Sequence, residues 1–384
     1  MKIVIAIDSF KGSLSTLEAG NAVLRAAREV FPDAEATVFP IADGGEGTVE
    51  AIVTANGGCF KACRVCGPLG EAVEAEYGIL PDQKTALIEM AAAAGLTLIP
   101  KERRDPEKAT TFGVGELILD AIRSGYREII IGIGGSATND GGVGMLQALG
   151  FSFLDKNKNE IPRGAAGLAL LDRIETAGAH PALAECRFTV ACDVTNPLCG
   201  EHGCSAVYAP QKGASPEAIT RMDAALSHYA ALTAAHCGVS HHNTPGAGAA
   251  GGMGFALMSY LGATPEKGIS LLMEKINLRE KLCGADLVIT GEGKIDYQSA
   301  MGKAPIGIAA AAKRQGAVVI GLCGCTGEGA ELCNREGIDA VFPILQAPAT
   351  LAEAMDKQNA CDNLFKTARQ ALLFFRAVKT KSNL

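Results

Sequence analysis

Lys2-Ile3-Val4-Ile5-Ala6-Ile7-Asp8-Ser9-Phe10-Lys11-Gly12-Ser13-Leu14-Ser15-Thr16-Leu17-Glu18 opens the chain and decides its fold class. Lys2 to Ile7 is a continuous apolar run of strand length, the pattern of a parallel strand covered on both faces. From Leu14 to Phe31 the apolar positions recur at helical spacing, and Ser15 followed by Glu18 predicts a capping box at the start of that helix. Glu35 to Ala42 predicts a second strand, ended by Asp43-Gly44-Gly45. This is β-α-β with parallel strands.

The same grammar returns near the other end of the chain. Leu287 to Thr290, Val318 to Cys323 and Val341 to Leu345 predict three more buried strands, separated by a helix from Ala304 to Arg314 and a short one after Cys323. A last amphipathic helix ends near Val378. Two strands at the start and three at the end make one flavodoxin-like, doubly wound, five-stranded parallel sheet if the middle is an insertion. The expected organisation is therefore a discontinuous α/β domain, 1–57 plus 284–384, with a second α/β domain, 58–283, inserted. The insertion has its own predicted strands (Ala72 to Ile79, Lys84 to Glu89, Glu128 to Ile133, Phe188 to Cys192) and helices (Val114 to Ser124, Pro216 to Cys237). Ser215 and Pro216 suit the N-cap and first position of the longer helix. A single large mixed sheet is the alternative.

Composition narrows the function classes. The 384 residues carry 35 basic and 42 acidic side chains, a net charge of −7, with no basic block and no tryptophan, so nothing marks a nucleic-acid surface and an anionic small substrate must be met by local cations. No stretch approaches the length of a membrane span or of a signal core. The 13 cysteines read as thiols of a reducing compartment, and a cytoplasmic location is expected. Cys63-x-x-Cys66 has zinc-like spacing but no second pair to complete a site. His236, Cys237, His241 and His242 read as solvated residues of a helix end and loop.

In an open parallel sheet, ligands bind beyond the carboxyl ends of the strands, where strand order reverses. With order 2-1-3-4-5 the reversal places Asp8 and Lys11 opposite Glu292 and Asp296. Strand-end acids beside lysines suit a Mg-nucleotide, because Mg²⁺ takes one or two carboxylates plus phosphate oxygens and water. In the middle segment, Gly132-Ile133-Gly134-Gly135-Ser136-Ala137-Thr138-Asn139-Asp140-Gly141-Gly142 reads as a phosphate cradle of backbone amides and hydroxyls. It also fits a dinucleotide fingerprint at Gly132, Gly134 and Ala137 with Asp155 beyond, although Asn139 to Gly142 should break the helix such a site needs. Asp193, after a strand, suits a general base or metal ligand, and Lys212 a phosphate clamp. Cys192 or Cys199 as nucleophile is disfavoured, because only His202 lies nearby.

Asp8-Ser-Phe-Lys-Gly-Ser13, Ala42-Asp-Gly-Gly-Glu-Gly-Thr48, the Gly132–Gly142 loop, Ala191-Cys-Asp-Val-Thr-Asn-Pro-Leu-Cys-Gly200, Pro210-Gln-Lys-Gly213, Gly246-Ala-Gly-Ala-Ala-Gly-Gly-Met-Gly254 and Thr290-Gly-Glu-Gly-Lys-Ile-Asp296 closely resemble the type-1 glycerate kinase family. The likeness spans residues 1 to about 375; Ile7 stands where that family has proline. The resemblance implies ATP and Mg²⁺ dependence, D-glycerate as acceptor, 2- or 3-phosphoglycerate as product, and two α/β domains, one inserted in the other. Phosphoryl transfer needs positioning, charge neutralisation and a proton acceptor. Chemistry then assigns Gly134, Gly135, Ser136, Thr138, Asn139, Asp140 and Asp8 to the nucleotide, and Lys11 and Lys212 to charge neutralisation. Asp193 or Asp43 is left for the hydroxyl proton, and Glu292 and Asp296 for Mg²⁺. The expected partner is a small-molecule substrate, with no nucleic acid and no membrane, for a monomer or homodimer. The rival readings are an NAD(P)-dependent hydroxy-acid oxidoreductase and a non-catalytic sensor of a small carboxylate.

Overall fold

The computed structural model describes residues 1–42, 47–239 and 241–382. Its strands, in chain order, are β1 (Lys2–Ile7), β2 (Glu35–Val38), β3 (Cys59–Cys66), β4 (Ala72–Ile79), β5 (Thr85–Glu89), β6 (Glu128–Gly132), β7 (Ser152–Leu154), β8 (Arg173–Glu175), β9 (Arg187–Ala191), β10 (Thr264–Glu266), β11 (Leu287–Ile295), β12 (Val318–Thr326) and β13 (Ala340–Pro343). The chain divides into two compact units, Met1–Asp43 with Ile269–Leu384, and Gly44–Gly268. Each has its own main sheet, so the single-sheet alternative falls.

In the first unit the sheet runs β2-β1-β11-β12-β13, all parallel. Ile3, Ile5 and Ile7, on one face of β1, pack with Ala19, Val23 and Val30 of the helix Thr16–Val30 and with Leu364 and Leu372 of the helix Lys357–Ser382. The predicted capping box is present: the Glu18 amide donates to Ser15 Oγ, and the Ser15 amide donates to the Glu18 carboxylate.

Two strand ends differ from expectation for local reasons. β2 stops at Val38 rather than at Ala42: the Phe39 amide still donates to Ile5 O, but the next amide that faces β1, that of Ile41, donates to Thr16 Oγ1 instead. β11 continues past Thr290 to Ile295, paired with β12 throughout. A Cβ at Gly291 would lie 1.9 Å from Leu322 O. The glycine lets two strands approach; it does not turn the chain.

The second unit holds a sheet of order β10-β9-β6-β5-β4-β3 and a small β7-β8 pair. β5, β6, β9 and β10 are parallel, whereas β3 and β4 add antiparallel. The core joins Ile88, Ile131 and Val190 of the sheet to Leu117 and Ile118 of the helix Phe112–Arg123, with an aromatic cluster of Phe153, Tyr229, Phe255 and Tyr260. The helix Thr48–Asn56, expected with the first unit, belongs to this one: Val53 lies over Gly78 of β4, so closely that a Cβ there would meet Val53 Cγ2 at 2.3 Å. β3 was not foreseen. It puts Cys63 and Cys66 three residues apart on one strand, hence on opposite faces, which excludes the shared zinc.

Candidate active site

The reversal of strand order in the first unit lies between β1 and β11, where the Asp8 amide donates to Gly291 O at 2.9 Å. Beyond these strand ends lies a cavity of about 780 Å³ lined by Asp8, Lys11, Glu292, Lys294, Asp296 and Lys303, among others. The fold thus gathers the four residues expected to meet there. Thr16 fixes the floor: its hydroxyl donates to Ile7 O at 2.5 Å and accepts from the Ile41 amide at 3.1 Å.

Glu292 is buried; Ser299 Oγ donates to its Oε1 at 2.5 Å, and Lys303 Nζ stands 4.0 Å from Oε2. Asp296 caps the short helix Tyr297–Ala300, accepting from the Gln298 amide at 2.9 Å, and pairs with Lys294 at 3.1 Å. Burial would raise its carboxyl, but the Lys294 ammonium and the Gln298 amide outweigh that and hold it below the usual carboxylate range. Among the described residues no group of three or more His, Cys, Asp or Glu side chains gathers as a cation cage. Two carboxylates over a cavity match what Mg²⁺ needs when phosphates and water complete its shell. Lys303 and Ser299 escaped the sequence reading, since nothing in their spacing ties them to Glu292.

In the second unit, β6 ends at Gly132 and the next helix begins only at Val143. The loop between has two halves. Gly134, Gly135 and Ser136 are accessible, whereas Thr138, Asn139 and Asp140 are fully buried. The Asp140 carboxylate accepts from the Thr111 amide (2.8 Å), Thr111 Oγ1 (2.9 Å), and the amides of Gly142 (3.1 Å) and Gly144 (3.3 Å). Burial pushes this carboxyl up and the four donors pull against it. Asn139 Nδ2 donates to Ser205 Oγ at 2.8 Å, while Asn139 Oδ1 and Thr138 Oγ1 are buried without a partner. The Gly141 amide donates to Gly251 O at 2.9 Å, joining this loop to the glycine-rich segment before the helix that ends at Leu261.

Lys212 is buried beneath the loop and donates to Ser136 Oγ at 2.8 Å and Thr138 O at 2.6 Å. Burial pushes its ammonium down to about 8. Asp193 follows β9 and accepts from the Gly268 amide at 3.1 Å. Asp43 lies outside the described residues. Burial raises the thiols of Cys192 and Cys199, the latter to about 11, which leaves neither a ready thiolate. The dinucleotide reading also fails on geometry. No helix starts within the fingerprint, and Asp155 closes an exposed turn by accepting from the amides of Asn157 (2.8 Å) and Asn159 (2.9 Å).

A profile of the glycerate kinase family matches residues 3–376. The chain is 51% identical over 369 residues to glycerate 2-kinase of Escherichia coli (strain K12), covering 96% of each. It is 45% identical over 380 residues to glycerate kinase of Bacillus subtilis (strain 168), covering 99% of each. Among solved structures, a crystal structure of a candidate glycerate kinase 2 from Salmonella typhimurium LT2 superposes with TM-score 0.87 at 48% identity, covering 99% of both chains.

Proposed function

This chain belongs to the glycerate kinase family, and on that premise we propose that it transfers the γ-phosphoryl group of ATP to the 2-hydroxyl of D-glycerate, giving 2-phosphoglycerate and ADP. The 2-position follows the name of the Escherichia coli relative. The observation that carries the reading is Lys212: a buried ammonium set on Ser136 and Thr138 of a glycine loop, with no ion pair to any described carboxylate. A cation held in reserve is what a transferring phosphoryl group requires.

Lys212 neutralises charge on the transferring group, and the amides of Gly134, Gly135 and Ser136 with the Ser136 hydroxyl orient it, while Thr138 and Asn139, expected to touch the nucleotide, are buried behind them. Asp140 holds the loop in shape. Asp193 or Asp43 takes the hydroxyl proton. In the first unit, Asp8 and Lys11 face phosphate, and Glu292 and Asp296 hold Mg²⁺, directly or through water. The metal supplies charge neutralisation at phosphate oxygens.

We read the five-stranded sheet as a flavodoxin-like, doubly wound domain and the second unit as a domain inserted in it. The 13 free thiols suit a cytoplasmic enzyme, and no described helix is long and apolar enough to cross a membrane.

The test is ³¹P NMR of the enzyme with ATP, Mg²⁺ and D-glycerate. A 2-phosphoglycerate resonance is expected. ATP left intact, or hydrolysed with no phosphoglycerate formed, overturns the reading.

A further inference from the structure

The second unit carries another cavity, of about 630 Å³, that none of these roles uses. Six ionisable groups line it: Arg103, Arg104 and Lys108 against Glu102, Asp105 and Glu107. Two of the acids are spoken for. Lys108 pairs with Asp105 at 2.9 Å, and Arg221 grips Glu107 through Nε (3.1 Å) and Nη2 (2.9 Å). Arg104 is different. It is half-buried, its side chain makes no hydrogen bond or ion pair with any described residue, and its Nε is enclosed without an acceptor. A guanidinium N–H withdrawn from water and left unpaired is a standing cost, while the two terminal amino groups, which are accessible and have no partner among the described residues, are the part that can meet an anion in the cavity.

Arg104 is also fixed beside the phosphoryl-transfer machinery. Gly213, next to Lys212, has φ +97°, and a Cβ there would lie 2.7 Å from Arg104 O. The chain therefore passes from the buried ammonium to the back of Arg104 in one residue. Ser215 caps the 22-residue helix Pro216–Cys237, whose first turn opens on the same cavity and favours negative charge.

We propose that this cavity takes the carboxylate of the hydroxy-acid acceptor, with Arg104 as the residue that binds it. The proposal rests on the kinase reading above. Three acids balance three bases around the cavity, so its field suits a monoanion better than a polyphosphate. The planar guanidinium offers two parallel N–H groups that match a carboxylate. A substrate lacking that group leaves Arg104 unpaired, which is how such a site discriminates.

The experiment compares the wild type, Arg104→Gln and Arg104→Lys as full-length proteins, with D-glycerate and with glycerol, which keeps the hydroxyls and lacks the carboxylate. For R104Q, KM for D-glycerate is expected to rise roughly 100-fold while KM for ATP stays within about threefold. The preference in kcat/KM for D-glycerate over glycerol falls by a similar factor, a change that mere loosening of the fold would not produce. R104K lies between, and it decides the matter if R104Q fails to fold by circular dichroism. An unchanged KM for D-glycerate, or a rise in KM for ATP instead, overturns the proposal. If the wild type makes no phosphoglycerate, the kinase reading fails separately, and calorimetric titration with D-glycerate alone tests the site. Heat that R104Q abolishes supports it, and no heat from the wild type sinks it.

Discussion

Replacing Lys212 by methionine separates what its buried charge costs the fold from what it gives the reaction. Its ammonium is held by Ser136 Oγ and Thr138 O, and burial brings it from the ordinary 10.5 to about 8. That difference corresponds to about 3 kcal/mol, at about 1.4 kcal/mol per pH unit. The sign follows from proton counting. Between about pH 8 and pH 10.5 the unfolded chain binds the proton more tightly than the folded one, so stability rises with pH across that window, and the cost is fully present below it. In Lys212→Met the cost is gone at every pH. The unfolding free energy of wild type minus variant, from urea titrations at matched pH, should therefore climb by about 3 kcal/mol between pH 7 and pH 10.5. Taking the difference cancels the thiols and other groups that titrate in the same range. Activity should move the other way: kcat of the variant falls by at least about 10²-fold at pH 7, and wild-type kcat/KM, which reports the free enzyme, declines above about pH 8 as the ammonium is lost. A stability difference that stays flat with pH would refute the buried-charge argument, and full activity in Lys212→Met would refute the catalytic one.

Asp140→Ala strands four buried donors, on Thr111, Gly142 and Gly144, and should cost about 4 kcal/mol in urea unfolding, at about 1 kcal/mol or more per orphaned group. Wild-type stability with lost activity would return Asp140 to direct ligand contact. Glu292→Gln keeps the Ser299 hydrogen bond but removes the charge, and should raise the Mg²⁺ concentration for half-maximal rate at least about tenfold. An unchanged Mg²⁺ profile would remove Glu292 from the metal.

Much of the fold was legible because its strands are continuous apolar runs and its helices announce their caps. Lys2–Ile7, the Ser15–Glu18 box and Ser215–Pro216 all sit where their local chemistry puts them. β3 was missed because Cys59–Cys66 alternates at a sheet edge with little apolar contrast. The site was legible as loops and not as orientations. Acids at the expected strand ends pointed to Asp8, Glu292 and Asp296 as neighbours, and all three line one cavity. Nothing in the string Thr138-Asn139-Asp140 told which side chains turn inward, since an irregular loop has no period to read. Arg104 was invisible for the opposite reason: it is one of two arginines in a polar stretch, and only its half-burial with an enclosed, unpaired Nε sets it apart from Arg103.

The first unit is closed by strands from opposite ends of the chain: the Lys2 amide donates to Asp286, 284 residues away. A ribosome has therefore made β1 and β2 long before β11, β12 and β13 exist to flank them. At about 5–20 residues per second the delay is roughly 15–60 s, while Gly44–Gly268 has already emerged whole. During that wait the Ile3-Val4-Ile5 ribbon has an open edge toward its missing neighbour, of the kind that pairs with other nascent chains. A stop codon anywhere before β11 would leave that exposure permanent. The price of a discontinuous sheet is thus levied on truncated and stalled copies, which should be drawn to chaperones or aggregates even where the chain reaches past Gly268 and their inserted unit is intact.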